Sequence, residues 1–505
     1  MKKHLLTLLF AVIAGVLPAI AQNNGRVSTS FDDYRKKVLG DYQDFRKGIL
    51  DEYDKYLDGI WREVQELKAR ERNPQPKPVK QPEVSPTQKP LPPSQQPSQL
   101  TLPENNDPSV DPDALVDIPE MNPMDIPKLN VPLMKIKEKH NKLAFYCMTP
   151  EFPVVDMAPL RQVCMEHNFG NMWRAYANAK LADKVVPYIQ QYAKEYALND
   201  WFVLELTRAW CDNVMADFPR EGRISLAHYL LLHLGYNVRL ALRGTDNPML
   251  LIAFRQQVYG RKFVKLDGVQ YYMFDDNVDV PPADAKGMIT TCELPKDAKL
   301  GAIMDLRIHK DLKIPYKAHP FNFTWSGFTL KGEMNENLIP MLYRYPQMPI
   351  GEYAASVVST PVRESLVQQV KAQLGDKPQL DAVNTFLRFI QKGFAYESDD
   401  IQFEFEKPFF LEEMLYYPKC DCEDRSVFYT TLLFQALGVE SHIVEFPGHA
   451  SVAVFLDKPI DGDNYEYQGR KFFFSDPTYI NSKTGMVIPS YRNKTADIVY
   501  EWKKQ

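Results

Sequence analysis

The reading of this chain turns on Tyr417-Pro-Lys-Cys-Asp-Cys-Glu-Asp-Arg-Ser-Val-Phe-Tyr-Thr-Thr-Leu-Leu-Phe-Gln-Ala-Leu-Gly438, then Gly448-His-Ala450, then Phe474-Ser-Asp-Pro-Thr-Tyr479. Val427, Leu432, Phe434 and Leu437 recur at helical spacing, and Gly438 stands where a helix C-cap belongs. Cys422 then falls in the first turn, where the positive end of the helix dipole favours thiolate. Short β-branched runs follow at 441–446 and 450–456, then a polar turn at 458–464 and an aromatic run at 470–474. A Cys opening a helix, His449 opening a strand and Asp476 closing another suit a nucleophile, its base and an orienting carboxylate.

Asp-Cys-Glu-Asp ahead of an apolar helix ending Ala-Leu-Gly-Val, Gly-His-Ala, and Asp-Pro-Thr-Tyr together resemble the transglutaminase-like superfamily, a papain-like thiol fold. The likeness covers about residues 375–490. It implies Cys422 as nucleophile, His449 as base and Asp476 as orienter, with Asp424 structural. Leu380–Gly393 reads as the amphipathic helix preceding the Cys helix, and Phe394-Ala395-Tyr396 as its aromatic ending. Cys420 departs from the pattern, standing where a Gly is usual.

Asp421, Glu423 and Asp424 flank Cys422, which points away from a buried apolar thiol. Those carboxylates oppose thiolate formation, so an imidazolium partner is required, and His449 is its best supplier. His442 is the local rival. Asp476 has a plainer alternative, the start of an Asp-Pro turn. The Cys422 backbone N–H is a candidate oxyanion donor.

At 505 residues the chain has room for several domains. A net charge of −5 without a basic block excludes a nucleic-acid binder. The nine His are scattered and no CxxC or HExxH occurs, so neither metal nor cofactor is expected. Lys2-Lys3-His4, the apolar run 5–16 and Ala19-Ile20-Ala21 read as a signal peptide over 1–21. An exported protein, periplasmic or secreted, follows, with no transmembrane span after signal removal. Export opens two bridges among Cys147, Cys164, Cys211 and Cys292, against the alternative of buried thiols.

Residues 30–71 carry an 11-residue repeat, with apolar residues at 31, 34, 38, 42, 45, 49, 53, 56, 60, 64 and 67. That 3-4-4 rhythm predicts one amphipathic helix about 60 Å long, suited to oligomerisation or partner docking, with an intramolecular strut and a membrane-surface anchor as the alternatives. Residues 72–133 form a Pro-rich linker, predicted to be disordered.

Within 134–280, Ser225-Leu-Ala-His-Tyr-Leu-Leu-Leu-His-Leu-Gly235 tracks the Cys helix, and Asp267–Asp275 tracks Gln468–Asp476. Pro219 stands opposite Cys422 and no His stands near the His449 position. This reads as a degenerate copy of the same fold; His228 and His233 belong to its helix, and Trp201 and Trp210 to its core. Residues 281–370 alternate apolar with polar at 305–309 and 321–326 and read as a β-rich connecting domain. His309 and His319 are read as structural.

The expected fold is α+β: the N-terminal helix and linker, the degenerate domain, the β-rich domain, and a papain/transglutaminase-like domain over 371–505. The expected function is a cysteine hydrolase, peptidase or amidase, acting on a peptide or protein substrate. The alternatives are a non-catalytic scaffold that keeps the fold and a cross-linking acyltransferase.

Overall fold

The computed structural model describes residues 143–505 apart from 166–167, 244–246, 275–288, 293–300, 344 and 505, together with short strands at 61–63, 100–101, 134–137 and 140–142. The fold is mixed α+β, with helices packed on two large curled antiparallel sheets. The residues read as a signal peptide, and most of those read as an N-terminal helix and a linker, lie outside the described residues.

In the first lobe, helices α1 (Phe169–Asn178), α2 (Leu181–Glu195), α3 (Asp200–Val214) and α4 (Arg220–His233) precede strands β1 (Val238–Arg243), β2 (Asn247–Ala253), β3 (Phe263–Leu266), β4 (Val269–Phe274) and β5 (Ile289–Cys292). The side chains of Asn168 and Asn199 accept from backbone N–H groups of Asn171 and Phe202, capping α1 and α3. Pro219 opens α4, and Gly235 (φ 94°) lets the chain leave it. Trp201 and Trp210 are buried between helices and sheet. His228 is buried against the Trp173 ring at 5.4 Å, and burial pushes its pKa down to about 3, so it is a neutral core residue.

The second lobe holds α5 (Ile350–Ala355), α6 (Thr360–Leu374), α7 (Gln379–Gly393) and α8 (Cys422–Leu437). The connecting hairpin is β6 (Ala318–Trp325) and β7 (Phe328–Asn335), and the second sheet is β8 (Ser441–Phe446), β9 (His449–Phe455), β10 (Asn464–Tyr467), β11 (Arg470–Phe474) and β12 (Ala496–Trp502). The Asp424 carboxylate accepts from the Asp421 N–H at 3.1 Å at the start of α8, and Gly438 (φ 64°) ends it.

The two sheets run β5-β1-β2-β4-β3 and β12-β8-β9-β11-β10, the same strand order. Each places a long helix, α4 or α8, against its two central strands. Each closes with a two-residue hairpin turn at positive φ, Asp267-Gly268 in one and Gln468-Gly469 in the other. A common topology thus underlies the sequence parallel between the two regions.

Three features differ from the sequence expectations. Residues 61–63 are not helical: Trp61–Glu63 pairs antiparallel with β5 and supplies partners to an edge strand's free backbone groups. In the linker, Leu100–Thr101 likewise pairs with β12, in parallel. Among the described residues, 281–370 do not form a β-rich domain. They supply β5 to the first sheet, an extended arm, one hairpin and helices.

The alternation at 305–309 marks the arm. Leu306 and Ile308 are buried, while side chains satisfy backbone groups that a sheet would otherwise pair. The Leu306 N–H donates to Gln256 Oε1 at 2.9 Å, and the Asp305 N–H to Asp200 Oδ2 at 2.7 Å. An extended strand and an extended arm share the period of two, so periodicity could not separate them. His309 contacts Asp305 on the surface, and His319 packs on Tyr416.

Candidate active site

Cys422 is the first residue of α8, His449 the first of β9, and Asp476 lies two residues past β11. Local chain chemistry fixes each position. Pro447-Gly448, with Gly448 at φ 76°, has the residue order of a type II turn and delivers His449 to the mouth of the β8–β9 ladder. Asp476 Oδ1 accepts from the N–H groups of Thr478 (2.8 Å) and Tyr479 (3.0 Å), which locks the Asp-Pro corner. Its other oxygen, Oδ2, meets His449 Nε2 at 2.7 Å and accepts from Ser451 Oγ at 3.1 Å. The turn role and the contact to His449 therefore coexist on one carboxylate.

With Nε2 on Asp476, Nδ1 is the imidazole nitrogen left for the thiol. Cys422 and His449 line one cleft with Glu423, Glu445, Phe446, Gly448 and Ala450 of the second lobe. Tyr259 of the first lobe completes the wall with Gln347, Met348, Ile350, Glu406 and Pro408. The Tyr491 ring stacks on His449 at 5.3 Å and 14°.

The thiol itself is buried, at 2 % exposure, and Asp421 and Asp424 are buried with it. This corrects the inference that flanking acids imply an accessible Cys. The acids are accommodated because the helix start and the adjoining loop supply N–H groups, as with Asp424, which accepts from Phe409 N at 2.8 Å. Burial, followed by the Glu423 and Asp421 carboxylates, pushes the Cys422 thiol well above its ordinary range. The helix N-terminus pulls the other way but is outweighed. Cys422 Sγ lies 3.1 Å from Glu423 Oε2 and 3.5 Å from the Ala450 N–H.

A test follows directly. Glu423→Gln removes the largest charge contribution holding the thiol protonated, and each unit by which the pKa falls multiplies the thiolate fraction about tenfold. Iodoacetamide labelling of Cys422 at pH 7, read by mass spectrometry, is expected to accelerate several-fold. An unchanged or slower rate refutes this electrostatic account.

His442 is not part of the site. It sits at the other end of the β8–β9 ladder, stacked on Phe472 at 3.9 Å and bonded to Tyr465 at 2.7 Å. Cys420 is buried beside Arg425, whose Nε donates to its sulfur at 3.4 Å. Arg425 also donates to the carbonyls of Phe394 (2.8 Å) and Pro477 (3.4 Å), tying α7, α8 and the Asp476 corner together. Cys147, Cys164, Cys211, Cys420 and Cys422 are all free thiols, so no bridge forms among them; the Cys292 side chain lies outside the described residues.

Sequence reading missed several members of the site. Ser451 was legible in principle, since it lies two residues beyond His449 and so shares its strand face. Gln391 left no signal; its amide donates to the carbonyls of Asp476 (3.0 Å) and Tyr479 (2.9 Å) from within α7. Tyr259, Glu406 and Gln347 come from segments that no local pattern joins to Cys422. No family model and no curated protein matches the chain.

Proposed function

We propose that the second lobe is a transglutaminase-like, papain-type thiol domain and that the protein is an exported cysteine peptidase or amidase. The observation that carries this reading is the convergence of Cys422 and His449 on one cleft, with His449 Nε2 held on Asp476 at 2.7 Å. The first lobe, with the same strand order and Pro219 at the start of its helix, is then a copy without the thiol.

In this reaction the Cys422 thiol passes its proton to His449 Nδ1, and sulfur attacks the carbonyl carbon of a peptide or side-chain amide. Asp476 stabilises the imidazolium. The C–N bond breaks as His449 returns the proton to the leaving amine, leaving a thioester on Cys422. Water, activated by the neutral imidazole, hydrolyses it. An amine in place of water gives the cross-linking alternative. The buried, protonated thiol favours a second reading, a scaffold that keeps the fold without turnover.

The deciding experiment incubates the purified chain with a mixed peptide pool and follows new amino termini, released ammonia and an acyl adduct on Cys422. Product formation lost in Cys422→Ala and retained in Cys420→Ala is expected. Equal product from wild type and Cys422→Ala, or none from either, overturns the hydrolase in favour of the scaffold.

A further inference from the structure

A carbonyl buried outside helix and sheet must find its donor elsewhere, and that donor then fixes where the backbone sits. The corner that carries Asp476 poses this problem. β11 ends at Phe474, and the Ser475 N–H still donates to the Val452 carbonyl at 2.7 Å. From Asp476 to Tyr479 the chain belongs to no strand, yet Asp476, Thr478 and Tyr479 are buried, as is Ser482 beyond them.

Two buried side chains from neighbouring helices answer it. Gln391 in α7 aims its amide nitrogen at the carbonyls of Asp476 (3.0 Å), Tyr479 (2.9 Å) and Ser482 (3.4 Å) and at Ser482 Oγ (3.0 Å). Arg425 in α8 takes the Pro477 carbonyl at 3.4 Å. Gln391 Oε1, by contrast, has no hydrogen-bond partner. Turning the amide over would set that oxygen against the carbonyls of Asp476, Tyr479 and Ser482, so the side chain has one workable orientation. An orphaned buried oxygen is a cost that Met or Leu at this position would avoid. What the amide supplies in return is its N–H donors.

Their effect reaches His449 through one residue. Asp476 is held twice, by Gln391 at its own carbonyl and by the Thr478 and Tyr479 N–H groups at Oδ1. With backbone and one oxygen pinned, Oδ2 has little freedom, and Oδ2 is the atom that meets His449 Nε2.

We propose that Gln391 is a positioning residue for the reaction of Cys422: from α7 it fixes the backbone of Asp476 and so keeps Oδ2 on His449 Nε2. It acts through Asp476, not on the thiol. The proposal rests on the reading of Asp476 as the orienter of His449.

The test uses the full chain. Gln391→Met keeps the length of the side chain and removes both hydrogens. The readout is the downfield proton resonance that an imidazole N–H shows when it donates to a carboxylate, assigned to His449 by its absence in His449→Ala. Wild type is expected to show it and Gln391→Met to lose it. On an amide that the wild type cleaves, kcat is expected to fall about a hundredfold with KM within a few-fold, the scale of a small misplacement of a catalytic group. Gln391→Asn, one methylene short of the corner, is expected to weaken the resonance in the same direction, and it serves if the Met variant does not fold.

Asn384→Ala controls for general loosening. Asn384 Oδ1, also in α7, accepts from the Thr484 N–H at 2.9 Å and ties the helix to the chain just past the corner, away from Asp476. That variant is expected to melt earlier yet keep the resonance. An intact resonance in both Gln391 variants, or its equal loss in Asn384→Ala, overturns the proposal. A wild type without the resonance overturns the triad geometry and the role of Gln391 together. A wild type that shows it but cleaves no amide refutes the hydrolase alone, and the resonance in the variants still decides what Gln391 does.

Discussion

For the proposed hydrolase, Asp476→Asn is expected to lower kcat on a cleaved amide by about 10⁴-fold while leaving KM within a few-fold, the size of loss that follows when a triad carboxylate becomes an amide. The reason lies in which proton the imidazole carries. Asp476 Oδ2 accepts from His449 Nε2, so Nδ1 stays free to take the thiol proton. An Asn side chain can keep Oδ1 on the Thr478 and Tyr479 N–H groups but turns an N–H₂ toward Nε2. The ring then carries its proton on Nδ1 and cannot serve as base.

Burial alone would raise the Asp476 carboxyl; its charge contact and hydrogen bond with His449, and the two N–H donors, overcome that and hold it below the usual carboxylate range. It therefore stays ionised throughout the working range. Ser451→Ala, which removes only the 3.1 Å bond, gives a far smaller loss. Steady-state kinetics with melting curves as a folding control decide the matter; an Asn variant within tenfold of wild type refutes the assigned role.

The second large effect concerns stability and pH. Glu412 is fully buried, and burial pushes its carboxyl up to about 7, against the attraction of Arg363. Its Oε1 accepts from the Ser359 N–H at 2.8 Å, while Oε2 has no partner. A raised acid binds its proton more tightly folded than unfolded, so its contribution is fully present at low pH. It is lost as pH rises from about 4.5, the unfolded value, through about 7.

Glu412→Gln removes that slope. Relative to wild type, the variant is expected to gain stability progressively between those limits, by about 3 kcal/mol in total. His228 supplies the opposite limb: held neutral with its pKa near 3, it weakens the fold as pH falls below about 6.5. Denaturant titrations at several pH values check this, and a wild-type-to-variant difference flat from pH 4.5 to 8 refutes it.

How much of this was legible in the sequence depended on whether the signal was local. The helix from Cys422 to Gly438, the strand at 441–446 and the aromatic strand at 470–474 carry their own spacing and caps, so they were read nearly to the residue. The parallel between the Ser225 and Val427 helices was legible because each unit repeats both a helix ending in Gly and a hairpin. β10 went unread between the expected turn at 458–464 and the strand at 470–474, since Asn464–Tyr467 mixes polar and aromatic residues. β12 has only partial alternation and reaches the sheet from the far end of the chain. In the site, the order Cys, His, Asp was visible, but the burial of its acids was not. Burial is decided by what packs over α8, and that comes from residues 347–410.

Those covering residues have a consequence for how the molecule comes apart. A single apolar cluster joins Phe254, Met304 and Leu338 to Tyr353, Phe410, Val427, Ile443 and Ala450, passing through Cys422 itself. The two halves share this part of their interiors. A fragment beginning at residue 371 would leave the faces of Phe410, Val427 and Ile443 without their partners, and would be expected to aggregate rather than fold. The intact chain should melt in one cooperative step from residue 143 onward. The lobe without a thiol is thereby tied to the half that carries Cys422: deleting it would strip Phe410, Val427 and Ile443 of part of their packing.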